Sequence, residues 1–291
     1  MSNKTKGTLL VLVCVALWGL IPVVARLGQS SLDNHQFLFW SSLISFLVLF
    51  GNAFLGGEVK EVRRYSLGDW AFITLLGLLG TYIYYLFLYL GYAQAKGLEV
   101  LVIQYTWPIL IVVLSAIILH ERLTRRKLVA ISLGFIGVIT VLSKGEFSRI
   151  DVSNPKVILL VGAGAFCFAL FSVLSKTVKK SATIVVSLYF LVALIASFFS
   201  MHYFSSFKMP GFSEWVPIAL NGLLVNGYSY IFWKKALRST EASYLAPFVY
   251  IAPILSAIYL VLLFNEPFLA AYGIGLGFII AGGLINTLGK A

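Results

Sequence analysis

QYTWPILIVVLSAIILHERLT at residues 104–124 and APFVYIAPILSAIYLVLLFNEPF at 246–268 read as two versions of one segment. In each, a proline precedes a glutamate by thirteen positions: Pro108 and Glu121 in the first, Pro253 and Glu266 in the second. The offset of 145 that superposes them also carries Asp69 onto Glu214, Trp70 onto Trp215, Gly77 onto Gly222, Tyr105 onto Tyr250 and Gly137 onto Gly282. Upstream the offset becomes 150, which pairs Trp18 with Phe168 and Arg26 with Lys176. The shared landmarks are Pro, Trp, Gly and Glu rather than interchangeable aliphatics, so the chain is a duplicated unit, divided at 1–150 and 151–291.

The composition decides what kind of unit is repeated. Of 291 residues 60% are hydrophobic and 11% charged, and the mean hydropathy is +0.94. No water-soluble core absorbs that much apolar surface. Crossing about 30 Å of hydrocarbon takes roughly 20 apolar residues, and ten stretches qualify: 7–27, 35–55, 69–94, 97–119, 127–143, 156–178, 183–204, 215–237, 241–264 and 268–288. The first begins behind Lys4 and Lys6 like a signal peptide, but it is too long and lacks a small-residue cleavage site, so it reads as a retained span.

The net charge of +11 does not point to nucleic acid, because the basic residues fall in short clusters between apolar runs. Sixteen of the 22 Lys and Arg lie in the connections on one side of the membrane, which places both termini in the cytoplasm of a cell whose plasma (inner) membrane holds the chain. With five spans per unit, the second copy then sits upside down relative to the first, the inverted plan of secondary transporters. The expected fold is an all-α integral membrane protein of ten transmembrane helices in two inverted five-helix repeats.

With LWGLIPVVARLG at 17–28 added to the two segments quoted first, the whole chain resembles the drug/metabolite transporter superfamily, in its ten-span group with two EamA-type halves. Within it the chain looks most like the aromatic amino-acid exporters of the YddG type. The resemblance implies a central cavity formed by spans 1 to 4 and 6 to 9, with spans 5 and 10 peripheral. It also implies alternating access.

Polar and amphipathic residues at mid-span are the natural substrate contacts, because a membrane interior penalises them. Tyr82, Tyr85, Tyr89 and Tyr92 recur at steps of three and four along the third span, giving a phenol-lined face that suits a flat or apolar substrate. Helix packing or interfacial anchoring is the alternative for such tyrosines, and it bears on Tyr89 and Tyr92 more than on Tyr82 and Tyr85. Asn226, Tyr230 and Trp233 form the corresponding series in the eighth span, beside Asn221 and Tyr228. Asn226 reads either as a substrate contact or as an interhelical hydrogen-bonding group. Gln104, Trp107, Trp18 and Tyr250 complete the candidate lining. Pro22, Pro108, Pro247 and Pro253 are candidate hinges: Pro108 frees a backbone carbonyl one turn back, Pro22 bends the first span, and Pro247 and Pro253 bracket Tyr250 in an irregular ninth span. Glu121 and Glu266 end their spans as structural or gating charges, and Arg26 and Lys176 as snorkelling or carboxylate-attracting ones.

All eleven acidic residues lie in connections or near span ends. Proton-coupled carriers commonly place a titratable relay at mid-membrane, and the four-span members of the resembled superfamily use a first-helix glutamate where this chain has Cys14 and apolar neighbours. The expectation is uniport, with Glu99 the one residue whose placement could change it. Flat hydrophobic cations or drugs moved by proton coupling are the alternative, and a membrane-embedded lipid-modifying enzyme or scaffold is the alternative of another class.

Catalytic signatures are missing. His120-Glu121 begins like H-E-x-x-H but ends in Thr124, the three histidines share no ligand spacing, and neither a P-loop nor a G-x-S-x-G elbow occurs. No enzyme, cofactor or metal is expected. The two cysteines, Cys14 and Cys167, lie in apolar runs. Gly273 and Gly277 offer either a homodimer face or close internal packing, and a monomer suffices for transport.

Overall fold

The computed structural model describes residues 2–29, 31–95, 97–146, 154–264 and 269–287, with only the backbone at 97–99. Ten helical rods run through the described residues: α1 Asn3–Gly28, α2 Asn34–Leu55, α3 Leu67–Gln94, α4 Val100–Ile118, α6 Pro155–Ser175, α7 Ala182–Phe204, α9 Ala242–Phe264 and α10 Ala270–Thr287, with α5 Arg125–Leu142 and α8 at 212–239. No strand occurs among the described residues. The protein is an all-α integral membrane protein. Among the described residues eight rods are long and apolar enough to cross a membrane; α5 misses that standard because it opens on Arg125, Arg126 and Lys127, and α8 because Asn221, Asn226, Tyr228 and Ser229 dilute its apolar middle.

Local chemistry fixes where the rods begin. The first amides of a helix have no partner inside it, so side chains supply one. Asp33 caps α2 reciprocally with Gln36, Ser66 caps α3 with Asp69, and Thr124 caps α5 by accepting from the Lys127 amide. Along the rods the apolar surface is not confined to one face: Leu55, Ile117, Leu159 and Leu262 are exposed on the outside. That is the pattern of helices solvated by lipid.

The packing repeats itself on exchange of the two halves. α2 lies on α7 and α5 on α10, while α1 packs on α8 as α3 packs on α6. Glycines mark the crossings: a Cβ at Gly77 would meet Val192 Cβ at 2.8 Å and one at Gly222 would meet Ile44 Cβ at 2.6 Å. On the other flank a Cβ at Gly137 would lie 2.6 Å from the Gly275 carbonyl, and one at Gly282 would lie 2.8 Å from that of Ala130. Ala130 and Gly137 are the offset mates of Gly275 and Gly282, so the second contact is the first with the halves exchanged.

Because the obstacle is backbone rather than a movable side chain, Gly137→Ala should destabilise the α5–α10 contact by roughly 1–3 kcal/mol. A lowered midpoint of thermal unfolding in detergent checks it. Internal packing uses Gly275 and Gly282, whereas Gly273 and Gly277 have no atom within 4 Å of an added Cβ and face outward.

The same symmetry extends to two departures from regular α-helix. Leu78–Ile83 in α3 and Asn221–Tyr228 in α8 are π-helical, and the offset of 145 carries 78–83 onto 223–228. Each wide turn is tied to the neighbouring rod: Thr81 Oγ1 donates toward the Tyr189 carbonyl at 2.8 Å, and Ser45 Oγ toward the Gly222 carbonyl at 2.9 Å. Such segments are frequent at functional sites. All four candidate hinge prolines sit near the start of a helical segment. Pro22 restarts α1 after a break at Gly19 and Leu20, Pro108 restarts α4, Pro247 opens the 3-10 turn Ala246–Tyr250, and Pro253 follows in the first turn of Ile251–Phe264. At those positions a proline removes no internal helical hydrogen bond.

Candidate functional site at the aromatic centre

Rings from α1, α3, α4, α6 and α8 meet at the middle of the bundle. Trp18 is the hub, with centroids 5.8 Å from Trp107, 5.8 Å from Phe168, 6.3 Å from Tyr230 and 5.4 Å from Trp233. Most of these contacts are edge-to-face, the arrangement that ring quadrupoles favour. Its indole Nε1–H donates to Ser229 Oγ at 2.9 Å, and that of Trp233 donates to Ser172 Oγ at 3.1 Å. Two pairs here are repeat mates in contact: Trp18 with Phe168, and Tyr85 with Tyr230 at 6.4 Å. The exchange axis therefore passes through the ring cluster.

The symmetry breaks where polar groups enter. Gln104 Nε2 donates to Tyr84 Oη at 2.9 Å, and Tyr92 Oη donates to Gln104 Oε1 at 3.2 Å. The mates of Gln104 and Trp107 are Val249 and Ala252. All four line one central cleft, with Trp18, Tyr84, Tyr85, Tyr105 and Phe168. In this conformation its volume is about 10 Å³, so rings occupy the centre.

Asn226 stands beside this cluster in the second π segment. It is fully buried and lies against the Tyr89 hydroxyl, whose ring is 5.4 Å from that of Tyr85. Neither its amide nitrogen nor its carbonyl oxygen has a hydrogen-bond partner, whereas the neighbouring Asn221 donates to Ser41 Oγ at 2.9 Å and Tyr89 Oη at 3.2 Å. A buried carboxamide in that condition costs about 1–3 kcal/mol.

The two ends of the bundle differ. At the end that carries both termini, Glu121 is 7% exposed and receives Lys176 Nζ at 2.8 Å. The amides of Ala242 and Ser243 donate to the same carboxylate, each at 2.9 Å, and Ser243 Oγ at 2.6 Å. Glu121 thus caps α9 while tying it to the ends of α4 and α6. Although burial opposes ionisation, these donors hold its carboxyl below the ordinary glutamate range. Lys234 Nζ and the Arg238 guanidinium both donate to the carbonyl of Val178, just beyond α6. At the opposite end a cavity of about 190 Å³ reaches Tyr105 from Pro22, Leu101 and Pro253, and one of about 270 Å³ lies between Pro22, Arg26 and Tyr92.

The candidates named from sequence separate into groups. Trp18, Tyr85, Gln104, Trp107 and Tyr230 come together at the centre, and Asn226 stands beside them. Tyr82 is half-buried and lines none of these cavities. The wide turn at Leu78–Ile83 carries it out of line with Tyr85, and Tyr84 takes the place beside the cleft. Tyr250 is buried under Gly134 and packs on Phe135 at 6.3 Å, with its hydroxyl unpartnered. Glu266 and the side chain of Glu99 lie outside the described residues. Among the described residues no group of His, Cys, Asp and Glu is placed to hold a metal.

The sequence pattern of the EamA-like transporter family matches residues 5–143 and again 155–288. An uncharacterized transporter of Archaeoglobus fulgidus is 25% identical over 100% of this chain and 99% of its own. The aromatic amino acid exporter YddG of Ancylobacter novellus is 26% identical over 73% of this chain and 74% of its own. An S-adenosylmethionine uptake transporter of Rickettsia prowazekii is 27% identical over 57% and 54%. A solved crystal structure superposes with a TM-score of 0.84, covering 97% of each chain at 22% identity. That likeness shows the fold.

Proposed function

The chain belongs to the EamA-like transporter family, and from that premise we propose that it exports aromatic or large apolar amino acids by alternating access as a uniporter. It is a multi-pass membrane transporter of a small molecule. The observation that carries the finer reading is the ring cluster on the exchange axis. A site there lies equally deep from both faces, so rocking one half against the other exposes it to each in turn. Halves 1–150 and 151–291 are then inverted repeats, with both termini in the cytoplasm and the Glu121 end closed toward it.

Ring faces suit a flat substrate, and Gln104 with the unpartnered amide of Asn226 suits an α-amino acid head. A carboxamide offers an acceptor to the ammonium and a donor to the carboxylate. The relatives named for aromatic amino acids and for S-adenosylmethionine both handle molecules that join a flat ring to such a head. Trp18, Tyr85, Trp107 and Tyr230 form the wall in this reading, and Pro22, Pro108, Pro247 and Pro253 the hinges. Each described carboxylate lies at a rod end or in a connection, which supports uniport over proton coupling.

Labelled phenylalanine entering proteoliposomes tests the proposal. The expected result is saturable flux, unchanged when a pH gradient is collapsed; flux no greater than in empty vesicles, or flux that requires the gradient, contradicts it. Asn226→Leu should raise KM about tenfold, the equivalent of one hydrogen bond of ~1.4 kcal/mol. Tyr82→Phe should leave KM unchanged.

A further inference from the structure

At the end that holds both termini, a recess of about 630 Å³ opens between the N-terminus of α1, the α4–α5 connection, the start of α9 and the end of α10. Five cations line it, Lys4, Arg122, Arg125, Arg126 and Lys127, against one carboxylate, Glu241. That carboxylate is engaged by Lys127 at 2.7 Å. Lys4 rests over the Tyr244 ring at 4.5 Å. Among the described residues nothing pairs with the guanidinium groups of Arg122 and Arg125, which stand exposed at the rim.

Below this rim the surface turns apolar. Leu123, Leu128 and Val129 are 46%, 47% and 46% exposed on the α5 side, and Leu284 is 51% exposed on α10. Guanidinium groups grip phosphate oxygens through paired N–H bonds, and aliphatic side chains directly beneath suit acyl chains.

We propose that this recess binds the headgroup of an anionic phospholipid, its phosphodiester on Arg122 and Arg125 and its acyl chains along Leu128 and Leu284. A free phosphate would use the guanidinium groups but gain nothing from the leucines. The order of layers, charge above and aliphatic surface below, is that of a lipid at a bilayer interface, where basic recesses between helices recognise such headgroups. The inference is independent of what the protein transports. A headgroup seated here would also lie beside Glu241 and beside Lys127, which itself donates to the Ser243 hydroxyl that holds Glu121.

Thermal unfolding of the full chain in nonionic detergent tests it, with short-chain phosphatidylglycerol, short-chain phosphatidylcholine or inorganic phosphate added. Phosphatidylglycerol well above its Kd should raise the midpoint by about 3 °C or more, through binding to the folded state alone. The shift should vanish in the double variant Arg122→Gln/Arg125→Gln and be reduced without being lost in Arg122→Lys/Arg125→Lys, which keeps the charges but not the paired N–H bonds; surface changes at the rim leave the fold intact. Equal shifts from phosphatidylcholine, or a full shift in the glutamine variant, would overturn the site. An equal shift from inorganic phosphate would overturn the lipid assignment in favour of a simple anion site.

Discussion

Trp18→Ala is expected to reduce flux at least tenfold and to lower the unfolding midpoint in detergent by several degrees. Trp18 touches four other rings within 6.3 Å and donates to Ser229. Truncating a buried tryptophan costs roughly 3–5 kcal/mol, and edge-to-face contacts of about 0.5–1.5 kcal/mol each account for much of that. Stability and transport can be separated with Trp18→Phe. The second half already uses a phenylalanine, Phe168, at the mate position, so a ring without the indole N–H should restore most stability. If flux recovers equally, the ring face is what transport needs; if it stays low, the bond to Ser229 matters as well. Normal flux in the alanine variant would remove the ring cluster from the transport path.

The second large effect is expected at Glu121. Glu121→Ala removes the partner of Lys176, whose side chain is 23% exposed, and the acceptor of two helix-start amides. Breaking a buried pair from one side costs about 3–5 kcal/mol, because the remaining charge stays desolvated. The partial exposure of Lys176 puts the expectation at the lower end. A loss of ~3 kcal/mol shifts an open–closed equilibrium by roughly 100-fold. Hydrogen exchange at Ala242 and Ser243 reports it directly, since their N–H groups donate to Glu121. Both should be protected in the parent protein and exchange about 100-fold faster in the variant.

The pH dependence has a definite sign. A carboxyl held below its ordinary range contributes stability in full above that range, and loses it as pH falls through the lowered value. After correction for intrinsic exchange chemistry, protection at Ala242 and Ser243 should therefore be flat through neutral and mildly acidic pH and fail only in strong acid. Protection that fails already in the neutral range would contradict the ion-paired closure.

What could be read from the chain beforehand divides along physical lines. Spans were legible because hydrocarbon imposes a length and a composition on every crossing, and even the span ends agree with the helices to within a few residues. Pairing of the halves was legible from Pro, Trp and Gly landmarks, which is why Gly137 and Gly282 fall at equivalent crossings. The tyrosine face was misaligned at one point. Steps of three and four assume 3.6 residues per turn, and the π segment at Leu78–Ile83 replaces that geometry just where Tyr82 lies. No side-chain pattern announces a π turn, although the Gly77 and Gly222 approaches that accompany it were visible as a matched pair. Tyr84 was missed for the same reason.

Glu121 shows the other limit. Its spacing from Pro108 revealed that it mattered, but its partners Lys176, Ala242 and Ser243 come from two other rods, and only folding brings them together. Ring closure over the central cleft belongs to the same class, since packing of side chains, not their identity, sets a volume.

Alternate exposure of the central cleft is the claim on which the account depends, and a cysteine at Ala252 measures it. Ala252 lines the cleft beside Trp18 and Trp107, and Cys14→Ser with Cys167→Ser removes the two native thiols. In proteoliposomes, Ala252→Cys should react with a membrane-impermeant thiol reagent applied to either face, and phenylalanine should slow both reactions. Labelling from one face alone, or none from either, would contradict alternating access at this site.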